Sequence, residues 1–128
     1  MTAPFQPTDA ELAILRVLWE REPRTVREVH AALTAGGKEV AYTTVLKMLQ
    51  IMTEKRLVLR DDRDRAHRYR AATPRPKAQK QLVDDFVERA FGGAAAELVL
   101  HALAGRKASP QELDEIRRLL DRMESKFA

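Results

Sequence analysis

Apolar residues recur at helical spacing through most of this chain, and three such stretches open with the same polar signal. Thr8-Asp9-Ala10-Glu11, Thr25-Val26-Arg27-Glu28 and Ser109-Pro110-Gln111-Glu112 all read S/T-x-x-E. In that box the hydroxyl accepts from the third helical amide, and the glutamate reaches back to the amide of the capping residue. Pro110 strengthens the third box, because the first helical position has no use for its N–H. The pattern predicts a first helix over Asp9 to Glu20, ended by Pro23 and burying Leu12, Leu15, Leu18 and Trp19. A second runs from Val26 to about Thr34, with Val26, Val29, His30 and Leu33 on one face and Gly36-Gly37 as its stop. A third, Tyr42 to Lys55, gathers Val45, Met48, Leu49 and Met52 on one side and leaves Thr43, Lys47, Gln50 and Glu54 on the other.

The period then changes. Leu57-Val58-Leu59-Arg60 and Ala66-His67-Arg68-Tyr69-Arg70 flank a polar turn, Asp61 to Arg65, and read as a β-hairpin. Thr73-Pro74-Arg75-Pro76 reads as a linker, since proline biases the residue before it away from helix. Helical spacing returns over Lys77 to Ala90, breaks at Gly92-Gly93, and resumes over Ala94 to Ala104 and Pro110 to about Lys126. In the last helix Leu113, Ile116, Leu120, Met123 and Phe127 follow the alternating three-and-four spacing of a coiled-coil seam. The expected fold is mainly α with a small β-hairpin wing: a winged helix-turn-helix over residues 1–72 and a helical dimerisation region over 73–128. The C-terminal part is too short, and apolar on too many faces, to stand alone. Folding back on the N-terminal part or pairing with a second copy would hide that surface; the proline-bracketed linker separates the two parts and favours a second copy, which would cover Phe86, Leu98, Leu103, Leu113, Ile116, Leu120 and Met123.

Charge sharpens the picture. Residues 55–70 carry seven basic side chains against three acidic, a surplus equal to the whole formal net charge of +4. A local basic feature on a nearly neutral body suits a polyanion, most often nucleic acid, although an arginine-rich solvated loop would look the same. A helix fits the major groove and reads base edges with its outward side chains. The third helix offers Tyr42, Thr43, Thr44, Lys47 and Gln50 for that purpose, and Arg63, Arg65 and Arg68 of the hairpin suit phosphates. The expected partner is double-stranded DNA. Tyr42 is the single aromatic candidate on that side, too little stacking surface for single-strand recognition.

Other chemistries find little support. Cysteine is absent, which excludes disulfides and thiolate metal sites and fits a reducing cytoplasm. Serine occurs only at Ser109 and Ser125, and no clustered acid, base or nucleophile suggests an enzyme or a cofactor. His30 reads as a packed, satisfied core residue, His101 as an interfacial one, and His67 as either a phosphate contact or a solvent-facing strand residue. The arginines around Asp61, Asp62 and Asp64 would repel a metal cation, so no metal site is expected. Met1 to Thr8 lacks the zones of a signal peptide, and no apolar run is long enough to insert in a membrane.

Several fragments in order resemble the penicillinase-repressor (BlaI/MecI/CopY-type) family. They are Thr25-Val26-Arg27-Glu28-Val29, Tyr42-Thr43-Thr44-Val45-Leu46 with Leu49, the wing string Asp62 to Tyr69, Phe91-Gly92-Gly93, Leu98-Val99-Leu100 and Ser109 to Leu113. The resemblance implies a homodimeric winged-helix repressor on a pseudo-palindromic operator, with the C-terminal helices forming the dimer. It admits a β-lactam response or another stress response as the regulated gene set. It also implies a membrane-bound sensor metalloprotease as a partner, acting on an Asn–Phe bond that aligns with His101-Ala102. Neither residue matches that specificity, so resistance to such a protease is expected. Family members commonly have Arg where Ile51 stands and Gly where Arg56 stands, so Arg56 implies a different or strained helix end. The copper-sensing branch carries a cysteine-rich tail that this chain lacks. The alternative to a repressor is a winged-helix module that binds protein without specific DNA binding. Weak, salt-insensitive DNA association would mark it.

Overall fold

The computed structural model describes residues 5–105 and 107–127, with only the backbone of Phe127. The first four residues of the N-terminal stretch read above, and the Phe127 side chain expected in the seam, lie outside the described residues. The chain divides into two compact units, Met1–Val83 and Asp84–Ala128.

In the first unit, α1 (Asp9–Glu20), β1 (Arg24–Thr25), α2 (Val26–Ala35), α3 (Tyr42–Glu54), β2 (Val58–Asp61) and β3 (Arg68–Ala71) follow in that order. The strands form an antiparallel sheet in the order β1-β3-β2. Val58 faces Ala71 and Asp61 faces Arg68 across the hairpin, while Arg24 and Thr25 pair with Tyr69 and Arg68. β1 is an addition to the expected hairpin. Its two residues, Arg24 and the capping Thr25 itself, are too few to show a period of two.

Each helix contributes three residues to one core: Ile14, Leu15 and Leu18 from α1, Val26, Val29 and Leu33 from α2, and Val45, Leu49 and Met52 from α3. Val58, Tyr69 and Ala71 close it from the sheet. The buried face of α1 runs through Glu11, Ile14, Leu15 and Leu18. Ile14 therefore takes the place expected for Leu12, which sits at the edge of that stripe and is half-buried. Trp19, also expected inside, is half-buried and donates its indole N–H to the Thr73 carbonyl at 3.0 Å.

All three capping boxes form. Thr8 N–H donates to Glu11 Oε1 at 2.9 Å, Thr25 N–H to Glu28 Oε1 at 3.0 Å and Ser109 N–H to Glu112 Oε1 at 3.1 Å. The hydroxyls accept from the glutamate amides in return, at 3.1, 3.2 and 3.1 Å. Glu11 does more than cap. It is only 4% exposed, and its other oxygen accepts from Lys55 Nζ at 2.9 Å, which joins the start of α1 to the end of α3. Burial pushes the Glu11 carboxyl up. The Thr8 amide, the Lys55 ammonium and the Thr8 hydroxyl outweigh that and hold it below its usual value.

α3 ends in a Schellman turn. Leu57 N–H donates to the Met52 carbonyl at 2.9 Å and Arg56 N–H to the Thr53 carbonyl at 3.1 Å. The turn needs a left-handed residue, and Arg56 supplies it at φ 63°. Gly37, at φ 89°, does the same after α2.

The expected linker is different in structure. α4 (Arg75–Phe91) begins inside Thr73-Pro74-Arg75-Pro76, because a proline in the first helical turn loses no intrahelical hydrogen bond. Ala78 N–H donates to the Pro74 carbonyl at 3.0 Å, and Ala78 is fully buried. The second unit holds the rest of α4 with α5 (Ala95–Ala104) and α6 (Pro110–Phe127). Phe91 lies between Phe86, which it meets edge-on, and His101, tilted against it, with ring centroids 5.8 and 5.7 Å apart. α5 has no buried residue, although nearly all its side chains are apolar. α6 carries an Arg118–Asp114 pair one turn apart.

Two stability effects follow. Arg56→Gly relieves the left-handed backbone cost and is expected to raise unfolding stability by about 1 kcal/mol in urea titrations; an unchanged midpoint would show that Arg56 is unstrained. Glu11, held low in the folded state, adds stability that is complete above its unfolded value and is lost as pH falls through its lower folded value. Glu11→Gln is expected to cost about 1–2 kcal/mol at neutral pH and to flatten the acid limb of a stability–pH curve. A parallel shift of the whole curve would contradict the linkage.

Candidate nucleic-acid interface

α2, the turn 36–41 and α3 have the order of a helix-turn-helix. The turn is held from α2. His30 Nε2–H donates to the Val40 carbonyl at 2.8 Å, and the His30 ring meets Tyr42 edge-on, centroids 5.9 Å apart. His30 is thus half-buried and satisfied, and it positions the first residue of α3.

With Val45, Leu49 and Met52 turned inward, the opposite side of α3 is open to solvent. Thr43, Thr44, Lys47 and Gln50 are all exposed there, and Tyr42 is exposed at the start of the helix beside His30. Ile51 joins them at 37% exposure, an apolar side chain among polar ones. Glu54 is exposed on the same side and Lys55 is engaged by Glu11. Unlike α1, α2 and α6, α3 has no side-chain cap at its Ala41 start.

The hairpin is less simply basic than its composition. Arg63 clamps Asp61 through Nη2 at 2.7 Å and Nε at 3.0 Å, and its amide adds a third bond at 3.0 Å. The Arg63 side chain and amide together hold the Asp61 carboxyl down at about 2. Arg60 Nε meets Asp62 at 2.7 Å, Arg68 meets Asp64 at 3.7 Å, and His67 lies 3.8 Å from Asp62. Of the three arginines expected at phosphates, Arg63 and Arg68 are therefore already paired. Arg65 is exposed and makes no ion pair among the described residues. Arg70 is likewise exposed and unpaired there. Among the described residues no group of three or more His, Asp or Glu side chains is placed to hold a metal.

The sheet sorts the other wing residues by alternation. Val58, Tyr69 and Ala71 face the core, and Leu59 and Arg70, which face each other across the ladder, point outward. Burial pushes the Tyr69 hydroxyl up, against the lowering effect of nearby Arg60.

The model of the penicillinase repressor family matches residues 7–122. The chain belongs to that family. Two curated relatives, both named "Transcriptional regulator BlaI", come from Mycobacterium tuberculosis strains CDC 1551 / Oshkosh and ATCC 25618 / H37Rv. Each is 38% identical over 118 residues, spanning 91% of this chain and 84% of the relative. As a penicillinase repressor the chain is a transcriptional regulator and not an enzyme. Among the described residues no helix is long and apolar enough to cross a membrane.

In this repressor the residues expected at a dimer interface all lie on α4, α5 and α6. Phe86, Leu120 and Met123 are 47%, 50% and 50% exposed, Leu103 is exposed, and Leu98, Leu113 and Ile116 are half-buried. His101 and Ala102 lie in the later part of α5, both exposed. Among the described residues Leu100, noted in the sequence only within its run, is the most exposed large apolar residue at 69%.

The pairing on the wing has a consequence for ionic strength. Arg65→Ala is expected to weaken binding to every duplex alike and to reduce the slope of log affinity against log salt by about one. Asp61→Asn frees Arg63 and is expected to strengthen binding at low salt, since an exposed pair is worth only about 0–1 kcal/mol and yields to a phosphate. Filter-binding or anisotropy titrations at several salt concentrations measure both. Unchanged affinity and slope in Arg65→Ala would remove the wing from the interface.

Proposed function

We propose that this penicillinase repressor works as a cytoplasmic homodimer that recognises a pseudo-palindromic operator and blocks transcription from it. The observation that carries the reading is the outward face of α3, where Thr43, Thr44, Lys47 and Gln50 stand together beside an arginine-bearing wing. Hydroxyl, ammonium and amide are the groups that pair with base edges in a major groove. Arg63, Arg65 and Arg68 fix register by contacting phosphates, which carry no sequence information of their own. Residues 1–72 form the reading head and 73–128 the dimerisation region. The exposed apolar positions on α4, α5 and α6 support pairing, because surface of that kind is costly to leave in water. A dimer joins two heads and raises the effective concentration of the second at its half-site.

Release from the operator comes from a differently selective protease or from another signal. A membrane-bound sensor metalloprotease acting on His101-Ala102 would have to open α5 first, since a helical bond does not present itself to a protease. A pocket shaped for phenylalanine also loses apolar contact at Ala102, about 2–3 kcal/mol by area. Incubation with a protease of Asn–Phe specificity is expected to leave the chain intact by mass spectrometry; a clean product ending at His101 would contradict this.

Selection from a random duplex library tests the function directly. The full chain is expected to enrich an inverted repeat with half-site centres about one helical turn, or 10–10.5 base pairs, apart. Lys47→Ala is expected to cost about 1–3 kcal/mol on the selected duplex and to relax preference at one position per half-site. Leu120→Asp is expected to sediment as a monomer and to lose most operator affinity while unit one keeps its thermal transition. Enrichment of no sequence at all, with weak and salt-insensitive association, would favour a protein-binding module instead.

A further inference from the structure

We propose that Ile51 is a specificity-determining residue that reads the 5-methyl group of a thymine in the major groove. The inference rests on the DNA-binding reading of α3 and adds to it a statement about operator sequence. Three observations carry it. Ile51 is 37% exposed on a helix whose buried face is complete without it. It is absent from the partly buried hydrophobics that pack against the core, where its neighbours Leu46, Met48 and Leu57 are found. And it stands on the same stripe as Thr44 and Lys47, at helical offsets of roughly 20° and 40° by the rotation of about 100° per residue. The core of the first unit is filled without Ile51, and more than a third of its surface is open to solvent.

Docking α3 in the groove would close Ile51 between Thr44, Lys47 and Gln50 and the base edges. Against most of those edges an isoleucine is unfavourable, because a covered donor or acceptor is left without a partner. The thymine methyl is the one apolar group that the major groove displays. Covering it with Ile51 removes two apolar surfaces from water and leaves no polar atom stranded. The geometry also places the thymine. Lys47 and Ile51 are four residues apart, roughly 6 Å along the helix at 1.5 Å per residue. At about 3.4 Å per base step that is within roughly two base pairs of the position read by Lys47.

The test uses the full chain and the duplex it selects from a random library. Each thymine is replaced singly by deoxyuridine, which pairs identically but lacks the methyl. Affinities are measured for the wild type, Ile51→Ala and Ile51→Val, whose folding is checked by thermal melting. The expected result is a thymine, within about two base pairs of the Lys47-dependent position, at which the methyl is worth roughly threefold to tenfold to the wild type. Ile51→Ala should be insensitive to deoxyuridine there, and Ile51→Val should keep part of the dependence. Equal methyl effects for wild type and Ile51→Ala at every thymine would overturn the proposal, as would a selected duplex with no thymine in that window. Those results leave the DNA-binding reading standing. Failure to select any duplex would bring down both, so the two failures are distinguishable.

Discussion

Burial of Val45, Leu49 and Met52 sets the rotation of α3 about its axis, and what the first unit offers to a partner depends on that rotation. A helix hides one stripe and presents the rest. Here the hidden stripe meets Ile14, Leu15 and Leu18 of α1 and Val26, Val29 and Leu33 of α2 in one core. Turning α3 by one residue, about 100°, would bury a threonine or a lysine and expose a core residue. Burial of three such side chains, at roughly 1.5–3 kcal/mol each, makes that rotation prohibitive. The polar face is therefore held as firmly as the core, although none of its residues helps to hold it.

Smaller contacts refine the placement at both ends of the helix. His30 holds the preceding turn through the Val40 carbonyl. At the far end Lys55 reaches the buried Glu11, and Arg56 turns the chain into β2 at a left-handed angle. Glu22 then accepts from the Ala71 amide at 2.8 Å, and Trp19 donates to Thr73, so the base of the hairpin is tied to the end of α1. The wing and α3 consequently belong to one body, and their spacing on a duplex is set before any DNA is met.

Much of this architecture was legible in the chain because its signals are local. Three S/T-x-x-E boxes marked three helix starts, and the structure forms all three. What escaped was non-local or too short. β1 has two residues and exists only because β3 lies beside it. The Glu11–Lys55 pair joins residues forty-four apart in sequence, and no spacing rule links them. The choice of Ile14 over Leu12 for the core depends on how α1 is turned toward its neighbours. The prolines before α4 signalled a break, yet one of them fits inside the first turn. At the interface, the surplus of arginine was visible, but its pairing with Asp61, Asp62 and Asp64 was not. Composition counts charges and does not say which are already satisfied. Ile51 was visible as a departure from the family pattern, and only its exposure gives that departure a physical meaning.

On this account the outward face of α3, with the wing beside it, is the surface that meets DNA. Backbone amide shifts of the labelled full chain, titrated with its selected duplex, test it most directly. The largest changes are expected at Thr43, Thr44, Lys47, Gln50 and Ile51, with a second group around Arg65, and with little change at Arg16 and Glu20 on the exposed side of α1. Large changes on α1 with α3 undisturbed would contradict it.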